Sequence, residues 1–173
     1  MLDYQFPLQA SRQDKKTGPI DLFGRNERHQ FVVIEAKYKG NPETPLNALV
    51  QALRYTAIVQ ANLDVIRQEA REEILDEVPQ IQLLATKSWW DSWLQPEPGR
   101  RATICEWEEK FTILLADIKE ELAIDTVCYA LKDLSEEVLD RIKKDTKPEI
   151  PRDQDPFYST VTIGDDKPFG CVD

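Results

Sequence analysis

The chain has 173 residues, 41% of them hydrophobic, and a net charge of −10, which is enough apolar material for one folded domain and rules out wholesale disorder. No run of about 18 apolar residues and no charged-then-apolar leader is found, so neither a membrane span nor a signal peptide is expected. Cys105, Cys128 and Cys171 lie far apart, fit neither a disulfide framework nor a zinc site, and point to a reducing, cytoplasmic setting.

Residues 2–10 alternate apolar and polar, which predicts a half-buried strand, and Pro7 confines it to an edge because it has no N–H to give a neighbour. The polar stretch 11–17 reads as a turn, 18–24 as a second strand, and 26–29 as a tight connection in which His29 is a solvated loop residue. Residues 30–38 form a third strand. Phe31 to Ile34 is apolar on both faces, so this strand is expected at the centre of the sheet, covered on both sides.

After the loop 39–45, Thr44 suits a helix N-cap and Pro45 the first helical position. Leu46, Leu49, Val50, Leu53 and Ala57 space an apolar stripe for a helix running to about Leu75. Residues 80–86 read as a short buried strand. The segment with Trp89, Trp90 and Trp93 reads as a loop, then 106–123 as an amphipathic helix, 125–131 as a strand and 135–144 as a helix capped by Ser135. The order predicts an α/β fold, a central mixed sheet flanked by helices, with no obvious N-terminal helix. The domain is expected over 1–144, with 145–173 a proline-rich extended tail carrying one hairpin near 158–163.

The sharpest local signal is Glu35-Ala36-Lys37 at the end of the apolar third strand. Charged side chains rarely end such a strand unless they are paired or used. Residues i and i+2 share a face, roughly 6.6 Å apart along a strand, so Glu35 and Lys37 point into one space. Asp21, embedded between Ile20, Leu22 and Phe23, joins them if the second and third strands pair. Two carboxylates on neighbouring strands suit Mg²⁺ (or Mn²⁺), which takes hard oxygen ligands and leaves positions for water and phosphate. An adjacent lysine can orient the attacking water and counter the charge that develops.

The run Gly18-Pro19-Ile20-Asp21, the strand Phe31 to Lys37, and a helix bearing Gln51 and Tyr55 resemble, in that order, the PD-(D/E)XK nuclease superfamily. The RecB-like and archaeal single-strand-endonuclease-like branch is the nearest in pattern. The resemblance implies a restriction-endonuclease-like core and a metal-dependent nuclease that cleaves DNA phosphodiesters. It implies metal ligation by Asp21, Glu35 and Ala36, and a role for Lys37 beside the attacking water. Gln51 and Tyr55, one helical turn apart, are implied as accessories that help position DNA or the metal shell. The alternative is a catalytically inactive protein of the same fold that binds nucleic acid or another protein, with Asp21, Glu35 and Lys37 as a structural ion pair.

Charge bears on that choice. Residues 1–60 hold 8 Lys+Arg and 6 Asp+Glu, and residues 61–173 hold 14 and 26. The candidate site therefore lies in the part of the chain that repels phosphates least. A homodimer is also expected, with tryptophan 89, 90 or 93 at or near the contact, because aromatic residues are enriched at interface cores.

Overall fold

The computed structural model describes residues 3–6, 20–70, 78–94, 101–132 and 158–161. Among them, six strands form one sheet whose spatial order is the order of the chain. These are β1 (Asp3–Phe6), β2 (Ile20–Arg25), β3 (Phe31–Lys37), β4 (Gln80–Thr86), β5 (Thr126–Leu131) and β6 (Tyr158–Thr160). The pairs β1–β2, β2–β3 and β5–β6 are antiparallel, while β3–β4 and β4–β5 are parallel. Parallel neighbours cannot be joined by a tight turn. Helices α1 (Pro45–Ala61) and α2 (Leu63–Ala70) fill the first crossover, and α3 (Lys87–Leu94) and α4 (Arg101–Leu122) fill the second. No described helix is long and apolar enough to cross a membrane.

The β2–β3 hairpin sets the register on which the site depends. Its turn is closed by Asn26, whose Oδ1 accepts from the Arg28 and Gln30 amides at 3.0 and 3.1 Å and whose Nδ2 donates to Gln30 Oε1 at 2.9 Å. Gln30 in turn donates to the Val78 carbonyl at 2.7 Å, tying the hairpin to the approach to β4. His29 takes the left-handed conformation at φ 60°, which suits the turn residue it was expected to be. Asn26→Ala removes three bonds at once and is expected to cost about 1–2 kcal/mol. The check is a lower denaturation midpoint at unchanged m-value. An unmoved midpoint would show that Asn26 does not hold the turn.

Helix α1 begins as its sequence dictates. Thr44 is the N-cap, its Oγ1 accepts from the Asn47 amide at 3.1 Å, and Pro45 opens the helix. The face it buries differs from the expected stripe. Ala48, Leu49, Ala52, Tyr55, Thr56 and Val59 are buried, while Leu46 and Val50 are exposed. Two alanines face the sheet, so the helix packs close to β3 and β4, and the larger side chains beside them turn outward. The expected single helix to about Leu75 is broken at Asn62. Its amide reaches back to Ile58 and Val59, its Nδ2 donates to the Ile58 carbonyl at 2.8 Å, and α2 starts at the next residue. Residues 71–77 lie outside the described set.

The tryptophan segment is a helix, not the expected loop. Helix α3 follows β4 without a break and is braced by a Lys87–Asp91 ion pair at 2.7 Å. Trp89 and Trp90 are 2% and 0% exposed and pack edge to face at 4.9 Å. They join Ile81, Leu83 and Ala85 of β4, Phe111 and Ile118 of α4, and Cys128 and Ala130 of β5 in the main core. These two rings are therefore packed inside the chain's own core, and of the three tryptophans expected at or near a subunit contact only Trp93 is partly exposed.

A second cluster joins Ile20, Phe23, Phe31 and Val33 to Tyr55 and Val59 of α1 and Leu63 and Ile66 of α2. On β3, Val32 is buried but Ile34 is only half-buried on the same face. The double covering expected of this strand is thus incomplete among the described residues. Part of the predicted tail belongs to the domain: Tyr158–Thr160 pairs with β5, and Val161 lies in the main core. The predicted helix 135–144 and the rest of the tail lie outside the described residues. Cys128 is a buried, free thiol that burial pushes up to about 12, which fits its expected part as a small apolar filler.

Candidate active site

Strands β2 and β3 pair from Arg25↔Phe31 to Leu22↔Ile34. The same register sets Asp21 opposite Glu35. There the ladder gives way to a side chain: the Ala36 amide donates to Asp21 Oδ2 at 2.9 Å. This bond orients the Asp21 carboxylate at the edge of the site, so Ala36 meets Asp21 through its N–H. The metal contact expected of Ala36 would fall to its carbonyl.

Glu35 and Lys37 lie on one face, as their spacing requires, and meet at 2.6 Å between Oε1 and Nζ. Both are buried, at 3% and 9% exposure, and α1 lies over them. Lys37 Nζ also donates to Gln51 Oε1 at 3.2 Å and pairs with Glu43 Oε2. Gln51 closes the ring by donating from Nε2 to Glu43 Oε1 at 3.0 Å. Tyr55, one turn further along α1, is buried against Phe23 and Val33. Its phenol is raised first by burial and then by the Glu35 and Asp21 charges. The sequence-predicted residues thus gather where the start of β2 and the end of β3 meet α1, with Asp21, Glu35, Ala36 and Lys37 on the strands and Gln51 and Tyr55 on the helix.

The electrostatics are uneven. Burial pushes the Glu35 carboxyl up to about 7; the Lys37 hydrogen bond works against this, while the Asp21 and Glu43 charges add to it. Lys37 also suffers from burial, but the hydrogen bonds and charges of Glu35 and Glu43 outweigh it, and its ammonium is raised above the ordinary lysine value. Glu43 is held below the ordinary range, chiefly by its bond from Lys37. The asymmetry has a plain cause. Lys37 has three acceptors for one charge, whereas Glu35 has a single bond for two oxygens: its Oε2 is buried without any hydrogen-bond partner.

An orphaned carboxylate oxygen in a buried site is what a cation would satisfy. Among the described residues no three His, Cys, Asp or Glu side chains gather as a ready-made metal cage. Mg²⁺ does not require one, since one or two carboxylates with water and phosphate oxygens complete its shell. Asp21 and Glu35 therefore fit the ion on donor chemistry.

Glu43 is the residue that reading the sequence missed. It lies in the loop before α1, and its one sequence mark is a carboxylate placed directly before the Thr44-Pro45 helix start. Nothing in that pattern says it reaches Lys37. Compared with known proteins, the chain matches no family model, no curated protein and no solved structure.

Proposed function

We propose that this protein is a metal-dependent nuclease with a PD-(D/E)XK-type centre that hydrolyses DNA phosphodiester bonds. The observation that carries the proposal is the convergence of Asp21, Glu35 and Lys37, with Glu35 Oε2 buried and unpartnered beside a buried ammonium. Asp21 and Glu35 would hold Mg²⁺ or Mn²⁺, with the Ala36 carbonyl as a further donor. When bound, the ion would supply a Lewis acid that acidifies a water and offsets the charge building on the phosphate. Lys37 would orient the attacking water and counter transition-state charge from its fixed position between Glu35 and Gln51. Gln51 holds the Lys37 ammonium in place, and Tyr55 walls the site on its apolar side.

The test is cleavage of end-labelled DNA, single-stranded and duplex, in Mg²⁺ and in Mn²⁺, with Asp21→Asn as the control. Cleavage by wild type that is absent in EDTA and in the variant is the expected result. No cleavage by wild type under either ion would end the proposal.

A second reading rests on its own observation. Lys37 spends its three N–H groups on Glu35, Glu43 and Gln51, which would equally make the centre a structural ion network in a catalytically silent binding module. The metal separates the two. A network that only braces the fold has no use for Mn²⁺, whereas a nuclease site should be stabilised by it through mass action.

The size of that stabilisation should depend on pH, and its sign follows from Glu35. The carboxyl rises from an ordinary 4.5 to about 7, with Asp21, Lys37, Glu43 and Tyr55 as the titratable groups around it. Without metal, the native state holds the Glu35 proton more tightly than the unfolded chain does. Its contribution to stability is full below 4.5 and is lost as pH rises through 7. Metal binds the carboxylate and competes with that proton. The rise in Tm with Mn²⁺ should accordingly be larger at pH 8 than at pH 6, with proton release on binding at pH 6. Equal shifts at both values would remove Glu35 from the ligand set.

A further inference from the structure

The function proposed above gives Glu43 no role, yet its carboxylate is tied to both Lys37 and Gln51. The ammonium of Lys37 has three hydrogens and three acceptors. Two of these acceptors, Glu35 and Gln51, belong to the β3 strand and the covering helix. The third, Glu43 Oε2, comes from the loop, and its side chain is 34% exposed where that of Glu35 is 4% exposed. Gln51 is also partly exposed, so the open side of Lys37 is the one that Glu43 and Gln51 share, and of these two Glu43 alone is an anion. Carboxylate and phosphate oxygens are interchangeable acceptors for an ammonium, each making a short, charge-assisted bond.

The backbone beneath Glu43 is fixed. Its amide donates to Asn41 Oδ1 at 2.8 Å, the Asn41 amide donates to the Tyr38 carbonyl at 3.0 Å, and the Asn41 carbonyl accepts from Trp89 Nε1 at 3.2 Å. Gly40 turns this loop at φ 86°, a conformation that other residues adopt at a cost. A rigid loop thus presents a half-exposed carboxylate to a buried ammonium.

We infer that Glu43 is an anionic placeholder: it occupies on Lys37 Nζ the position that a nucleic-acid phosphate oxygen takes, and it must give way for substrate to bind. The inference rests on the nuclease reading and adds to it a residue that acts through Lys37 and sets substrate affinity. Its signature is a gain. Removing the Glu43 charge should tighten binding, whereas loss of a merely structural bond would weaken it.

The experiment measures binding of a short fluorescein-labelled oligothymidylate by anisotropy in EDTA, so that no cleavage intervenes. Glu43→Gln keeps an acceptor for Gln51 and is expected to bind about fivefold more tightly than wild type, the effect of one nearby charge at partial screening. Glu43→Asp keeps the charge and should show no gain, so tightening by it would overturn the inference, and Glu43→Ala, which removes the charge, supplies the gain reading if the glutamine variant folds poorly. Glu120→Gln makes the same change of net charge at an exposed position of α4 and should leave affinity unchanged. Equal tightening by Glu43→Gln and Glu120→Gln would overturn the inference, as would weaker or equal binding by Glu43→Gln, or no binding by any of the proteins. Cleavage in Mg²⁺ on the same preparations keeps the two ideas apart. Active wild type with unimproved binding by Glu43→Gln sinks the placeholder alone, and tightened binding without cleavage sinks the nuclease alone.

Discussion

Methionine in place of Lys37 is expected to lower Mg²⁺-dependent DNA cleavage by about a hundredfold to a thousandfold, the cost of removing one preorganised charge donor from a water-excluded site. Methionine fills nearly the same volume and keeps the apolar stem, so the loss isolates the ammonium. The substitution also leaves Glu35 and Glu43 without their shared cation, and breaking a buried pair is costly because a charge stays behind. Glu35 softens that cost, since its carboxyl already titrates near 7 and can take up a proton. Folding of the variant is verified by thermal melting before its rate is compared. The metal response should survive, because Asp21 and Glu35 remain: Mn²⁺ should still raise Tm in Lys37→Met but not in Asp21→Asn. Cleavage at the wild-type rate by the methionine variant would remove Lys37 from the chemistry. Loss of the metal response together with activity would make Lys37 a bracket for the carboxylates and not a partner of the water.

The centre of this site was legible because strand geometry is local. A period of two puts Glu35 and Lys37 on one face wherever the strand lies, and charges in an apolar run mark themselves. The start of α1 was legible for the same reason: Thr44 and Pro45 act on the amides next to them. What was missed depends on contacts distant in sequence. The face of α1 was misjudged because Leu46 and Val50 look like core residues, and only the close approach to β3 and β4 selects Ala48 and Ala52 in their place. Tryptophans 89, 90 and 93 looked like a loop because Pro96, Pro98 and Gly99 follow them. Their helix is fixed by burial against β4 and α4. Glu43 could not be found at all, since its meeting with Lys37 requires the loop to fold back over the strand end.

The largest expected effect on stability belongs to Trp90. Its ring is fully buried in the main core, packs edge to face on Trp89, and donates from Nε1 to the Tyr129 carbonyl of β5 at 3.0 Å. It therefore clamps α3 to the sheet both by volume and by a polar bond. Trp90→Ala leaves a cavity of nearly the whole indole and is expected to cost about 3–5 kcal/mol, a large part of the roughly 5–15 kcal/mol that a domain has in all. Trp90→Phe keeps most of the ring but loses the donor, and should cost about 1–3 kcal/mol. Urea denaturation at two protein concentrations decides where the ring works. A ring buried within its own chain gives a loss that does not change with concentration. A loss that shrinks as concentration rises would place Trp90 at a contact between two copies and overturn its assignment to the core. Trp89 offers the companion measurement. Its Nε1 holds the Asn41 carbonyl at 3.2 Å, in the loop that carries Glu43. Trp89→Phe should thus disturb oligonucleotide affinity, whereas Trp90→Phe, which touches β5 instead, should alter stability and leave affinity alone.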